Sequence, residues 1–564
     1  MRNAETRTCQ SCKNQFVIEP DDFGFYETMK VPPPTWCPKC RMIRRLGVRG
    51  YRILYKRKCD YTGEDVISTH HPDTKNKVYR QDIWWSDKWD AREYGRDYDF
   101  SKPFFAQYYE LFSQVPLPAL YTEYTTLVNS DYCNAAAELK NCYLAFNADN
   151  SENCAYLNTI TNLKDCFDAS FTYRSELCYE VVNADRCYRV FFSKDCEDSH
   201  DIWFSNDLIG CSDCFGCTGL RKKNYYIFNQ PHSKADYERF AGGLNLGSYA
   251  ALAGVREKSA ESVLKYPRKE NHNRKQYNST GEYLENTQNV RDSYMAGEAK
   301  NIRYAQFIRK GPSENAYDYS HFAMGAEWIY ESCWVGLTVN NIKFGFWNYK
   351  SHDLEYCFGC HGAGNLFGCV GIRGGEYCIL NKQYSKEEYQ LLVARIKRQM
   401  IEIPYTDSRE RIYRYGEYFP PEFSPWVYNE SNGYEWLPFS KEEAVRWGFS
   451  WRDPDSREYQ EATVTIPDHI KDITDDILKG ILKCDECGKN YQIIRMELDF
   501  YRRMNIPIPR ECPLCRDRAR IKQLNPIAIH DRKCAKCGKD IKTSYAPARP
   551  EIVYCESCYN AEVV

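Results

Sequence analysis

No stretch of this 564-residue sequence approaches 18 uninterrupted apolar residues, which excludes an ordinary membrane-spanning helix. The opening MRNAETRTCQSC lacks the apolar segment of a secretion signal. An excess of one charge is missing too: the net charge is -2, so no global field draws the chain to nucleic acid. There is no doubly wound α/β pattern, no CoA-binding signature, and no thioredoxin-like βαβ context around any Cys-x2-Cys. These absences lead us to expect a cytoplasmic chain of several domains without a membrane partner. There, the 28 cysteines are expected to bind metal or fill cores, not to form a disulfide framework. The 46 tyrosines speak against disorder.

What the sequence does have is repetition. A shift of 475 residues lays the C-terminus over the N-terminus without a gap. Cys9, Cys12, Cys37 and Cys40 fall on Cys484, Cys487, Cys512 and Cys515, and Phe25-Tyr26 falls on Phe500-Tyr501. Further on, Cys59 falls on Cys534, but Thr62, Arg80 and Ile83 stand where the C-terminal copy has Cys537, Cys555 and Cys558. Each end therefore reads as a two-part unit, with the second metal lost from the N-terminal copy. Four thiolates at this spacing close a tetrahedral site with no open position, which makes it structural and not catalytic. Zinc is favoured over iron or an iron–sulfur cluster. Three structural Zn2+ ions are expected on twelve cysteines: Cys9, Cys12, Cys37, Cys40, Cys484, Cys487, Cys512, Cys515, Cys534, Cys537, Cys555 and Cys558.

Pro38 and Pro513 sit inside the second cysteine pair, and a basic run follows each: Arg41, Arg44 and Arg45, or Arg516, Arg518 and Arg520. The layout is a second knuckle feeding a helix. With their Cys-x2-Cys, Phe-Tyr, Pro-x-Pro and Cys-Pro-x-Cys-Arg elements, the ends resemble the zinc-ribbon/treble-clef domains of uncharacterised bacterial proteins. That resemblance covers the terminal units alone and implies metal binding without implying an activity.

Between 125 and 232 a phrase recurs around Cys142, Cys154, Cys166, Cys178, Cys187 and Cys196, with steps of 12, 12, 12, 9 and 9 residues. Two steps read as one solenoid coil of 18–24 residues. A second array, 286–384, aligns with the first and places Ser293, Ile302, Ala316, Ile329, Ile342 and Leu354 on those cysteines. A ligand cannot become Ile or Ala, so these cysteines are read as core. Cys214, Cys217, Cys357 and Cys360, in the shared Cys-Phe-Gly-Cys phrase, stay open as an extra metal or redox pair against tight coil corners. The fold class expected is mainly β. It is a duplicated right-handed parallel β-helix-like solenoid flanked by small α+β treble-clef and zinc-ribbon domains.

The domains expected are a treble clef at 1–58, a degenerate ribbon at 59–85, and an aromatic linker or cap at 86–124. The arrays at 125–232 and 286–384 follow, separated by a helical linker at 233–285. A helical and Pro-rich linker at 385–480, a treble clef at 481–530 and a ribbon at 531–564 complete the chain. The segment Trp84–Asp90 reads as packing onto the first solenoid coil, because solenoid ends need covers. The function expected is a non-enzymatic zinc-binding scaffold, its partner a protein or nucleic acid (RNA or DNA). The knuckle arginines are the candidate phosphate contacts. The alternative is an enzyme: a β-helix acting on a polysaccharide through Asp165, Asp168, Asp195, Asp198 and Asp201, or a transferase or thiol-redox enzyme.

Overall fold

The computed structural model describes residues 3–309, 311–453 and 459–563. In the first array every third residue is left-handed: Asn141, Leu144, Asn147, Asn150 and Asn153 have φ of 52, 49, 51, 47 and 54°. The residues between alternate. Cys142, Ala145, Ala148, Ser151 and Cys154 point inward and are buried, and their C-terminal neighbours point outward. Each triplet is thus one inward residue, one outward residue and one corner. Four corners close a coil of twelve residues, so Leu157 pairs with Ala145 and Ala169 with Val181, all in parallel. This corrects the 18–24-residue coil expected from the cysteine steps. A 12-residue step is one full coil, and a 9-residue step moves to the adjacent side of the next.

The corners explain the composition. A left-handed residue costs roughly 1–2 kcal/mol unless it is Gly, Asn or Asp. Asn and Asp recur there, and their amides also bond coil to coil, as in Asn129 to Asn141 to Asn153 at 3.1 and 3.0 Å. The second array repeats the device with Asn278, Asn289, Asn301 and Asn315.

The backbone bonds leave one donor over. Outward N–H groups reach the next coil (Tyr143 N to Cys154 O, 3.0 Å), and corner N–H groups reach the previous one (Asn153 N to Lys140 O, 3.0 Å). Where the inward residue one coil back is Ser or Cys, the inward N–H bonds its side chain. Cys142 N donates to Ser130 Oγ at 2.9 Å, Cys166 N to Cys154 Sγ at 3.3 Å and Cys178 N to Cys166 Sγ at 3.4 Å. The inward cysteines therefore fill a narrow core and also accept a buried amide.

The first sheet runs from Leu127–Val128 to Gln230–Pro231 and the second from Arg274–Tyr277 to Lys382–Gln383. In the second, the coil lengthens to fourteen residues (Ile302 beside Ala316) and thirteen (Ile329 beside Ile342), then returns to twelve (Leu354 beside Leu366). A capped helix follows each array, Lys234–Gly242 behind Ser233 and Lys386–Glu402 behind Ser385.

The chain forms two units, and they are interleaved in sequence. One comprises Met1–Leu120 with Asn271–Asp453, the other Tyr121–Glu270 with Pro454–Val564. The N-terminal module thus folds on the second array and the C-terminal module on the first. The aromatic segment accordingly covers the second array, not the first as expected. Trp84 lies 5.2 Å from Trp347, and Arg373 donates to Ser86 O and Trp89 O. The glycines at that array end explain the fit: a Cβ on Gly368 would stand 2.8 Å from the Phe104 ring.

His361 is walled in by Trp84, Trp85, Trp347 and Tyr349, with ring centroids 4.5–6.0 Å away. Neither ring nitrogen has a hydrogen-bond partner among the described residues. Burial, aided by Arg373, holds its pKa down to about 3. A pKa lowered on folding gives stability that is full above the ordinary value of about 6.5 and is lost as pH falls toward 3. His361→Phe should therefore gain on the wild type as pH drops, by about 2 kcal/mol at pH 5. Unfolding midpoints measured from pH 7 to pH 4 check this. In the first array, Cys166→Ser should cost about 1 kcal/mol or less, since Ser makes the same bonds at neighbouring inward sites. Cys166→Phe should prevent folding of that array by overpacking it, which circular dichroism would show.

Candidate metal centres

Each cluster is built from two short loops. Cys9 opens a hairpin turn in which Lys13 N bonds Cys9 O at 3.0 Å, with Lys13 left-handed at φ 65°. Gly488 and Gly538 serve the same turn in the other clusters at φ 71 and 74°. Cys37 and Cys512 cap the helices Pro38–Leu46 and Pro513–Ile521, with proline at the first helical position.

In each of the three clusters the four Sγ atoms lie within 4.8 Å of one another. The contacts Cys12–Cys37, Cys487–Cys512 and Cys537–Cys555 are each 3.8 Å. Zinc–thiolate bonds of about 2.3 Å give a tetrahedron with edges of about 3.8 Å, so the donor sets fit structural zinc. Backbone amides point at the leading sulfur of each: Cys37 N to Cys9 at 3.3 Å, Cys512 N to Cys484 and Cys555 N to Cys534 at 3.2 Å. Burial alone would raise the Cys534 thiol, but donors from Cys537, Cys555 and Lys536 outweigh it and bring it down to about 6. All 28 cysteines are free thiols.

The erased site keeps its frame. Gly63 N bonds Cys59 O at 2.9 Å, and Arg80 N bonds Cys59 Sγ at 3.3 Å, matching the Cys555 contact in the intact ribbon. Arg80 stands where Cys555 does and pairs with Glu64 and Asp82.

The arginines proposed as phosphate contacts lie elsewhere than expected. Arg41, Arg44, Arg45, Arg516 and Arg520 are buried, and only Arg518 is exposed. Each knuckle helix lies against its unit's array. Arg41 and Arg45 share Asp318 at 2.8 and 3.0 Å, and Arg45 also donates to Ser320 Oγ and Tyr304 O. In the other unit Arg516 and Arg520 share Asp168 at 3.3 and 2.5 Å, and Arg520 donates to Ser170 Oγ and Tyr156 O. Arg41 stacks over Tyr304 and Arg516 over Tyr156. One clamp has been made twice. Arg44 adds Glu331 and Glu417 in the first unit, where the other has Ala519. From the sequence Asp168 reads only as a possible catalytic acid and Asp318 goes unnamed, although the array alignment that pairs Cys166 with Ala316 also superimposes these two arginine partners. Burial pushes the Asp168 carboxyl up even against two guanidinium groups. Each clamp buries a carboxylate between two guanidinium groups, and a buried pairing of this kind specifies which surface is docked.

Cys214, Cys217, Cys357 and Cys360 are inward residues. Cys-x2-Cys here is the triplet spacing and not a knuckle. Their thiols donate to carbonyls, as in Cys214 to Ser212 O at 3.2 Å and Cys357 to Glu355 O at 3.4 Å. The aspartates proposed for catalysis are corners: Asp165, Asp168, Asp195, Asp198 and Asp201 have φ of 50, 53, 54, 48 and 55°. Asn183 donates to Asp195, and Arg186 and Arg189 pair with Asp198 and Asp201.

No family model matches the chain, and no curated protein matches it. A crystal structure described as a "putative acetyltransferase" from Desulfovibrio desulfuricans G20 overlaps 51% of this chain and 86% of its own. It does so at 11% identity and a TM-score of 0.10.

Elemental analysis should give three zinc ions per chain, and Cys487→Ser should remove one. Thr62→Cys, Arg80→Cys and Ile83→Cys together should add a fourth beside Cys59. A count still at three would show that the frame cannot hold metal. Asp168→Ala, which leaves Arg516 only Glu497 at 3.8 Å and Arg520 only Asp517 at 3.3 Å as carboxylate partners, should cost about 3 kcal/mol, read from the unfolding of that unit.

Proposed function

We propose that this protein is a non-enzymatic, zinc-stabilised scaffold whose two solenoid surfaces are displayed to a protein partner. The observation that carries this reading is the duplicated clamp. In both units the metal-ordered helix spends its arginines on holding an array, so the modules serve to fix a surface. With five of six candidate phosphate contacts withdrawn from solvent, a protein is favoured over RNA or DNA as partner. The unpaired thiols fit a reducing compartment such as the cytoplasm. The zinc ions, in this reading, order the modules and take no part in chemistry.

Affinity capture of the zinc-loaded chain with and without nuclease tests this. A stoichiometric protein that survives nuclease is expected, together with nucleic-acid binding that is weak and unchanged by Arg518→Ala. Retention that disappears with nuclease would replace the protein partner with a nucleic acid.

A further inference from the structure

The first coil of the first array differs from those behind it. The strand Leu127–Val128 pairs with Asn134–Lys140 on one side, and no strand lies on its other side among the described residues. Leu127 tops the apolar interior and is only partly buried. Around it Tyr124, Val128 and Tyr132 are 37%, 54% and 43% exposed. An uncovered coil leaves both apolar surface and unpaired strand groups.

Charge sets this end apart as well. Further along the array, carboxylates are neutralised: Glu152 by Lys140, Asp185 by Arg174, Asp198 by Arg186 and Asp201 by Arg189. Glu123, Asp131 and Glu138, in the first two coils, are exposed and carry no ion pair among the described residues. The end is therefore an apolar strand edge with an acidic rim.

We propose that this end accepts a basic, apolar extended segment of a partner protein as an added strand. The segment's backbone would pair with the Leu127–Val128 edge, and its apolar side chains would cover Leu127, Tyr124 and Tyr132. Its Lys or Arg residues would meet Glu123, Asp131 and Glu138. A second copy of the chain docked by the same end would set these carboxylates against themselves, so charge opposes self-pairing. The inference rests on the scaffold reading and names its partner class.

The test uses the full zinc-loaded chain and a fluorescent peptide of eight alternating Val and Lys residues. Anisotropy should show saturable binding that weakens with salt. Glu123→Lys, Asp131→Lys and Glu138→Lys together should weaken it at least tenfold, while the zinc count and circular dichroism stay unchanged. Hydrogen exchange should slow at the Leu127–Val128 amides when peptide is added. Equal binding of a Val–Glu peptide, unchanged binding by the charge-reversed chain, or protection confined to other strands would overturn the site. So would dimerisation of the wild type through this end. A chain that captures a stoichiometric protein but ignores the peptide would refute this site alone and leave the scaffold reading standing.

Discussion

The inward amide of each triplet is the constraint on which the solenoid depends. A twelve-residue coil turns four times, and its backbone bonds satisfy the outward and corner N–H groups and leave the inward one facing a closed interior. A buried amide without a partner costs about 1–3 kcal/mol, a cost avoided wherever the inward residue one coil back is Ser or Cys. The interior is narrow, and short polar side chains serve it: Ser and Cys in the first array, and Asn348, which accepts from Cys360 N, in the second. Ser and Cys answer both demands: small enough to face one another across the coil, each accepts the amide twelve residues ahead. Cysteine adds polarisable bulk where serine would leave the core thin. The abundance of cysteine in the middle of the chain and at its ends thus has two unrelated causes, solenoid packing and metal ligation.

The two modules divide stability from specificity. Metal binding can order a small module that lacks a core of its own. The arginine clamp then decides where the module lies, at a desolvation cost that apolar contacts would not carry. Phe25, stacked on Tyr317 at 3.9 Å, and Phe500, tilted against Phe167 at 4.5 Å, supply the apolar share beside each clamp.

The metal clusters were legible in the sequence because their spacing reflects local chain geometry. Two thiolates from one tight turn need the same three-residue interval wherever they occur. The solenoid was legible as a repeat, but its coil length was not. Cys178, Cys187 and Cys196 lie on successive sides of successive coils, and a one-letter phrase cannot distinguish a full turn from three-quarters of one. The left-handed corners were visible only as an excess of Asn and Asp, and Leu144, Tyr156 and Phe171 occupy the same conformation without advertising it. The fate of the arginines was hidden for a different reason. Arg41 meets Asp318 across 277 residues, and charge on a helix face looks the same in sequence whether it faces water or a buried carboxylate.

The interleaved order of modules and arrays governs how the chain is made. When residue 270 leaves the ribosome, neither unit is complete: the first module lacks its array, and the first array lacks its module. Arg41 and Arg45 must wait for Asp318, an interval on the order of tens of seconds at ordinary translation rates. During that time their charge is solvated and the apolar side chains meant for the second array, Phe25 among them, are bare. The first array waits longer still, since its clamp is translated near the end of the chain. Vectorial synthesis thus produces parts out of order: the first unit closes only once its segment ending at Asp453 is made, and the second only with the C-terminal segment.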